Sequence, residues 1–488
     1  MWQARSRVKC ILHQGVTICL LMGSLITACN PTIATTKPTA GITNTPEITA
    51  AIVDTATPEP LPTPIGVRQT PSAIPSATIP VELGKLKGTR IRIIHPWTGQ
   101  AGREFRQLIN EFNQENVWQI QVEEVQSGSV SEISQIFTES LASSDHVDIA
   151  ATSPEYLADW YGQGRIIDLA DFISNPEWGI TDAVRDTYYA SVWKANQVDE
   201  KLIAIPAQIN LQFMVYNQTW AEELGFTEIP TTRQEFIRQV CEAAIVNNKD
   251  AKKENDGTGG WIINTSSTTL ISWINAFGGN KTWLQDPLEI ITQNETGDAF
   301  SFLREMMEKG CAWNSRVASP FTYFAERQTL AFSASLPDLI ELEETLSFTK
   351  NSDKWTILPY PGAEKYAPAL MTGMSYGISQ TEPVEELASW LFVRWLALPR
   401  NQARLSEAAG TIPPTTAGVN LMETTGEVPV WWKEAITLVA DASILPASSD
   451  LRRIRPVLED GFWQMMQPTP MAIPTLMNQM NDTIKAEQ

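Results

Sequence analysis

The chain has 488 residues and a formal net charge of −20, with 36 basic against 56 acidic side chains. That balance excludes attraction to nucleic acid or to anionic lipid by charge. Its length exceeds one comfortable hydrophobic core, so more than one lobe is expected.

The N-terminus carries Arg5, Arg7 and Lys9, followed by a short apolar run over residues 15–28. A basic start, a short apolar core and a small-residue exit form a secretory signal. The run is shorter than the roughly 20 residues that a membrane span needs. It ends in Leu25-Ile26-Thr27-Ala28-Cys29, which resembles the bacterial lipobox. The resemblance implies cleavage after residue 28 and a lipid thioether on Cys29. Removing residues 1–28 leaves 33 basic and 56 acidic residues, a balance of −23.

Residues 30–83 hold ten prolines, twelve threonines and no aromatic residue. So few large apolar groups cannot offset the entropy of ordering. A Pro-rich coil of this length reaches about 45 Å on average and at most about 170 Å when fully extended. Residues 29–83 are therefore expected to be a tether for a globular domain over 84–488.

The globular part opens with "TRIRIIHPW" (89–97), a β-branched run that reads as a buried strand. Phe105, Leu108, Ile109 and Phe112 then recur with the spacing of one helix face. "QIQVEEV" (119–125) alternates as a strand does. Ile133, Ile136, Phe137 and Leu141 return to helical spacing, and "VDIAA" (147–151) is a third strand. A βαβαβ order predicts a parallel sheet, whose ligands bind beyond the carboxyl ends of its strands. The loops at those ends supply Trp97, Thr98 and Gln100 after the first strand. Ser153, Glu155 and Tyr156 follow the third. Neither loop has the glycine spacing of a dinucleotide or nucleotide-phosphate site.

Outside the signal and Cys29, two cysteines remain, Cys241 and Cys311. In an extracytoplasmic chain they predict a disulfide, with two buried thiols as the alternative.

From residue 201 onward the segments fall in a familiar order. "KLIAIPAQINLQFMVYNQTWAEELGFTEIPTTRQEFIRQVCEAA" (201–244), "ERQTLAFSAS" (326–335), "ILPYPG" (357–362), "MTGMSYGIS" (371–379) and "EELASWLFVRWLALPRNQARLSEAAGTIPP" (385–414) together resemble family 1 extracellular solute-binding proteins of ABC importers. The maltose-binding protein is the familiar member. One departure is Gln328, where the family usually has glycine. The resemblance implies a type II periplasmic-binding-protein fold: two α/β lobes, each a mostly parallel sheet flanked by helices, with a ligand cleft between them. Carried over, lobe one is about 88–205 plus 336–397, and lobe two about 206–335 plus 398–488. It also implies a monomer that closes on its solute and hands it to permease subunits, outside the cytoplasm and tethered to a membrane.

Gln208, Asn210 and Gln212 alternate along the first crossing strand and so share one face. Ser267, Thr268 and Trp273 lie where the family places lobe-two ligand contacts. Ser335 sits near the second crossing, and Thr372, Gly373 and Met374 follow in the return strand. Aromatic faces with amide, hydroxyl and carboxylate groups suit a sugar. None of these segments carries Lys or Arg, which favours a neutral carbohydrate or polyol over an anion; Arg452, Arg453 and Arg455 stand against that. No cofactor or metal is expected. Outside the signal there are two histidines, His95 and His146, and no nucleophile, metal or P-loop motif. The expected role is a binding protein rather than an enzyme. A ligand-sensing subunit and a surface carbohydrate hydrolase are the alternatives, since a glycosidase needs only a pair of carboxylates.

Overall fold

A computed structural model describes residues 81–140, 143, 145–315 and 319–486. The signal, Cys29, the tether up to residue 80 and Leu141 lie outside the described residues. No helix among the described residues is long and apolar enough to cross a membrane.

Twelve strands occur among the described residues. The first three are β1 (Arg90–His95), β2 (Gln121–Gln126) and β3 (Ile149–Thr152). A two-residue pair follows, β4 (Gln197–Val198) and β5 (Lys201–Leu202). Then come the long β6 (Ile205–Asn217), β7 (Gly259–Ile263), β8 (Ala312–Asn314) and β9 (Thr329–Ser335). The last are β10 (Trp355–Leu358), β11 (Leu370–Ile378) and β12 (Ser443–Ile444). All but β4 and β5 belong to one sheet whose main order is β2-β1-β3-β11-β6-β9-β7-β8.

That order contains two parallel triplets. At one end β1 pairs in parallel with β2 and β3, as the βαβαβ reading requires. At the other, β7 pairs in parallel with β8 and β9. Between them run β6 and β11, antiparallel to each other from Ile205–Tyr376 to Gln212–Leu370. β11 continues onto β3, and β6 continues onto β9 and β10. The architecture is the expected two-lobed α/β fold, with two shared antiparallel strands instead of two separate sheets.

Strand alternation builds both cores. In β1, Ile91 and Ile93 face a cluster with Phe105, Leu108, Ile109 and Phe112 of helix Gly99–Glu115, while Ile94 faces Ile133, Phe137 and Trp160. In β6, Met214 and Tyr216 face one side of the second half, Phe213 and Val215 the other. Each fully buried side chain of this size contributes about 1.5–3 kcal/mol relative to exposure. Local signals fix the helix that follows the crossing. Thr232 and Glu235 form a reciprocal capping box at the start of helix Arg233–Lys249.

The packing departs from the expected lobe limits in two stretches. The expectation places residues 336–372 in lobe one. In the structure Leu339, Leu342 and Leu346 pack under β9, β10 pairs with the far end of β6, and Tyr360 and Leu370 join the second core. The first lobe regains the chain only with Tyr376 and Ile378. Helix Pro399–Ala409, assigned to lobe two, reaches back: Arg404 pairs with Glu104 and Glu111 of helix Gly99–Glu115. Hydrophobic pattern is the same on either side of a hinge, so it does not report which sheet a strand joins.

Cys241 and Cys311 are joined by a disulfide, with Cα atoms 4.3 Å apart. It ties helix Arg233–Lys249 to the strand edge at β8 and closes a loop of 70 residues. The chain-entropy estimate for such a loop is about 4 kcal/mol. Replacing both cysteines by serine is expected to lower the melting temperature of the second lobe by several degrees, read by calorimetry under non-reducing conditions, with wild type falling to the same value on reduction.

Candidate functional site

Three adjoining cavities line the crossing strands. The central one, of about 400 Å³, is closed by Ser153, Glu155 and Tyr156 from the end of β3 and by Arg452, Arg455 and Glu459 of helix Ser449–Met465. Its floor is Asn210 and Gln212 of β6 with Thr372, Gly373 and Met374 of β11. A second cavity, of about 780 Å³, shares Asn210 and residues 372–374 and extends to Trp97, Thr98, Gln100 and Gln208. A third, of about 570 Å³, shares Gln212, Thr268 and Ser335 and extends to Asn264, Asp338 and Trp463. Together they make one groove between the lobes.

The floor follows from strand geometry. Side chains at 208, 210 and 212 point into the groove while Ile209, Leu211 and Phe213 enter the core. Gly373 is required here. A Cβ at this position would lie 2.3 Å from the Gln208 carbonyl oxygen. The register between β6 and β11 shifts just beyond it, between Met374 and Ser375.

The polar groups differ in how much bonding capacity they keep. Gln208 is bonded at both amide atoms: its Oε1 accepts from Trp97 Nε1 at 2.8 Å and its Nε2 donates to the Leu405 carbonyl at 3.3 Å. It positions Trp97 and helix Pro399–Ala409 and offers little to a ligand. Asn210 Oδ1 accepts from the Leu211 and Leu336 backbone, at 2.9 and 3.0 Å. Its Nδ2 has no protein partner among the described residues and faces the groove. Gln212 Nε2 reaches Tyr360 Oη at 3.4 Å, and that hydroxyl donates to Ser333 Oγ at 2.7 Å. Ser335 gives its backbone N–H and hydroxyl to Asp338, at 2.7 and 2.9 Å. Burial raises the Asp338 pKa above the usual carboxylate value, and the two Ser335 bonds oppose that. Ser153 Oγ is buried on the groove wall and has no protein partner among the described residues.

Two sequence candidates stand elsewhere. Trp273 is fully buried in the second core, against Trp261, Phe302 and Tyr360, and does not line the groove. It lies on helix Ser267–Ala276, one turn too deep: its neighbour Thr268 faces the groove, and a five-residue step turns the side chain to the core side. Ser267 sits behind the wall. Its N–H and hydroxyl both donate to Glu459 Oε1, at 3.0 and 2.7 Å, and it accepts from Arg455 Nε at 3.0 Å.

Helix Ser449–Met465 supplies what the loops did not. Arg452, Arg455, Glu459 and Trp463 form one helical stripe, about 100° round from the buried Leu451, Ile454, Leu458 and Phe462. That spacing was the available signal. Arg455 pairs with Glu155, and Arg452 pairs with Asp159 and lies 4.9 Å over the Tyr156 ring. Both carboxylates come from helix Pro154–Gly162 of the first lobe. The pairs therefore span the groove, and each arginine meets it already neutralised. Trp463 is 56% exposed at the mouth, an aromatic face open to solvent.

A sequence model of the bacterial extracellular solute-binding protein family matches residues 107–437. The chain belongs to that family. Family membership implies an extracytoplasmic location and a substrate-binding role. Solved structures agree in fold. An ABC substrate-binding protein of Listeria monocytogenes in complex with cycloalternan is 15% identical, with TM-score 0.65, over 82% of this chain and 99% of that one. The maltose/maltodextrin-binding domain MalE of Bdellovibrio bacteriovorus bound to maltotriose is 15% identical, with TM-score 0.64 and the same coverage. UgpB of Mycobacterium tuberculosis in complex with glycerophosphocholine is 16% identical, with TM-score 0.65, over 82% and 98%. Comparison with curated protein sequences finds no match.

Trp97 rests on a buried histidine. His95 lies 5.3 Å from the Trp97 ring, with Nε2 3.2 Å from Glu124 Oε1. Burial lowers its pKa from 6.5 to about 4, against the pull of Glu124. Unfolded chain therefore takes up a proton between pH 6.5 and 4 that folded chain refuses. The stabilising contribution is complete above 6.5 and is lost as pH falls, by about 3 kcal/mol. His95→Gln is expected to flatten the fall in melting temperature between pH 7 and 4 relative to wild type. Glu155→Gln leaves Arg455 without its carboxylate in a partly buried place. It is expected to cost about 2 kcal/mol in thermal unfolding, with Glu155→Gln/Arg455→Met recovering part of the loss.

Proposed function

We propose that this binding protein captures a neutral carbohydrate or polyol in the interlobe groove and delivers it to the permease subunits of an ABC importer. The observation that carries the reading is the groove's chemistry. Hydroxyl and amide groups with bonding capacity left over (Ser153, Asn210, Gln212, Thr268) lie between two aromatic flanks, Trp97 and Trp463, and both arginines are already paired. Hydroxyl-rich solutes match unpaired donors and acceptors, and their CH faces match aromatic rings. An anion would have to displace Glu155 or Asp159 from its arginine. The sugars named in the neighbouring structures support the same class. Ligand touching both lobes selects the closed arrangement, which is the state a permease reads.

On this reading the protein performs no chemistry on its solute. The lipid on Cys29 and the tether over 29–83 keep the receptor near its permease at raised effective concentration.

The test is a thermal-shift screen of the full chain against mono- and oligosaccharides, polyols and glycerol phosphodiesters. Ligand at a hundredfold excess over its Kd stabilises the folded state by about 2.7 kcal/mol. A neutral sugar is expected to raise the melting temperature without being consumed, and Asn210→Ala is expected to weaken its binding about tenfold, the size of one or two lost hydrogen bonds. A response to a phosphodiester alone would overturn the neutral class. Product formation would overturn the binding-only role.

A further inference from the structure

The first lobe holds a second cluster, at the end of β3 opposite the groove. His146 Nε2 lies 3.1 Å from Asp148 Oδ1 and 3.4 Å from Glu385 Oε2. All three donor atoms fall within 4.8 Å of one another. We propose that His146, Asp148 and Glu385 form a binding site for a divalent transition metal of the zinc class. Such a metal would tie the start of β3 to the first turn of helix Pro383–Leu396.

Four features carry this. The donor set is one imidazole and two carboxylates, which suits zinc. The two distances from His146 are those of a coordination shell, since bonds of about 2.0–2.2 Å in a tetrahedron place ligand atoms about 3.3–3.6 Å apart, and all three atoms lie within 4.8 Å, a spread that a small side-chain rotation closes. The ligands are held in place before any metal arrives. Asp148 is 97% buried by its 3% exposure, and its Oδ2 accepts the Arg92 backbone N–H at 2.7 Å, which leaves Oδ1 toward His146. The Asp148 carbonyl accepts from Ser379 N at 2.8 Å, and the Val147 carbonyl from Ser379 Oγ at 2.6 Å. These bonds dock segment 146–148 against the chain leading to Glu385. Such outer hydrogen bonds orient metal ligands. Finally, the site is open on one side. The His146 and Glu385 side chains are 24% and 27% exposed, enough for entry and for water in the remaining position.

A protonated His146 shared between the two carboxylates would use the same geometry without metal, so the experiment separates the two. Tag-free full chain, treated with chelator and desalted, is titrated with zinc by calorimetry. The full chain also holds Cys10, Cys19 and Cys29, so uptake at this site is read as the difference between wild type and the variants below. The expected result is about one zinc per chain, a higher melting temperature with metal, and visible absorption bands of a four-coordinate centre when cobalt(II) replaces zinc. His146→Ala and Glu385→Gln are each expected to weaken binding by about tenfold or more. Both side chains are partly exposed, and far-ultraviolet circular dichroism of the metal-free variants checks that the fold is retained. Absence of zinc uptake by wild type, or uptake equal in wild type and both variants, would overturn the site. Neither outcome depends on which solute the groove binds.

Discussion

Everything in this protein hangs on the antiparallel pair β6–β11. The pair runs from one lobe to the other with a single register shift after Met374, and each strand then leaves its partner to serve a different triplet. The groove lies where the two are still paired. A sheet that continues through both lobes leaves no independent place for the site floor. Shifting the register by one residue would turn Gln208, Asn210 and Gln212 into the core and expose Ile209, Leu211 and Phe213. The contact of Gly373 with the Gln208 carbonyl and the bulge after Met374 hold that register on the partner strand.

Upon this frame, charged pairs cross the groove between the lobes. Arg452 and Arg455 approach Asp159 and Glu155 across the groove, and Glu459 and Ser267 brace Arg455 from behind. Ion pairs in a partly buried place gain little net energy, because the attraction is offset by desolvation. They do fix geometry, since a wrong register leaves a charge unpaired. That combination suits a protein whose lobes must separate and rejoin: orientation is specified while the contact stays weak enough to break.

The legible parts of the fold were those decided within a few residues. The βαβαβ start, the capping box at Thr232 and Glu235, and Asn217 receiving the Trp220 N–H at the next helix start depend on local pattern. The groove lining was legible where it lies on strand ends, at Trp97 and Ser153–Tyr156, because the ends of parallel strands open onto such clefts. It was less so on helices. Trp273 and Thr268 share one helix, and only its packing direction says that the first is core. The stripe from Arg452 to Trp463 has a readable period, yet nothing local says which lobe it faces.

Sequence alone determined the hydrophobic period of each element, the caps and the acidic balance, because those are properties of neighbouring residues. Tertiary structure alone decided that residues 336–372 join the second lobe, that Gln208 serves Trp97, that Arg455 meets Glu155 from 300 positions away, and that His146 and Glu385 meet at the far end of β3. Each of these is a contact between distant segments, and the energy of a distant contact depends on the sheet that brings its partners together.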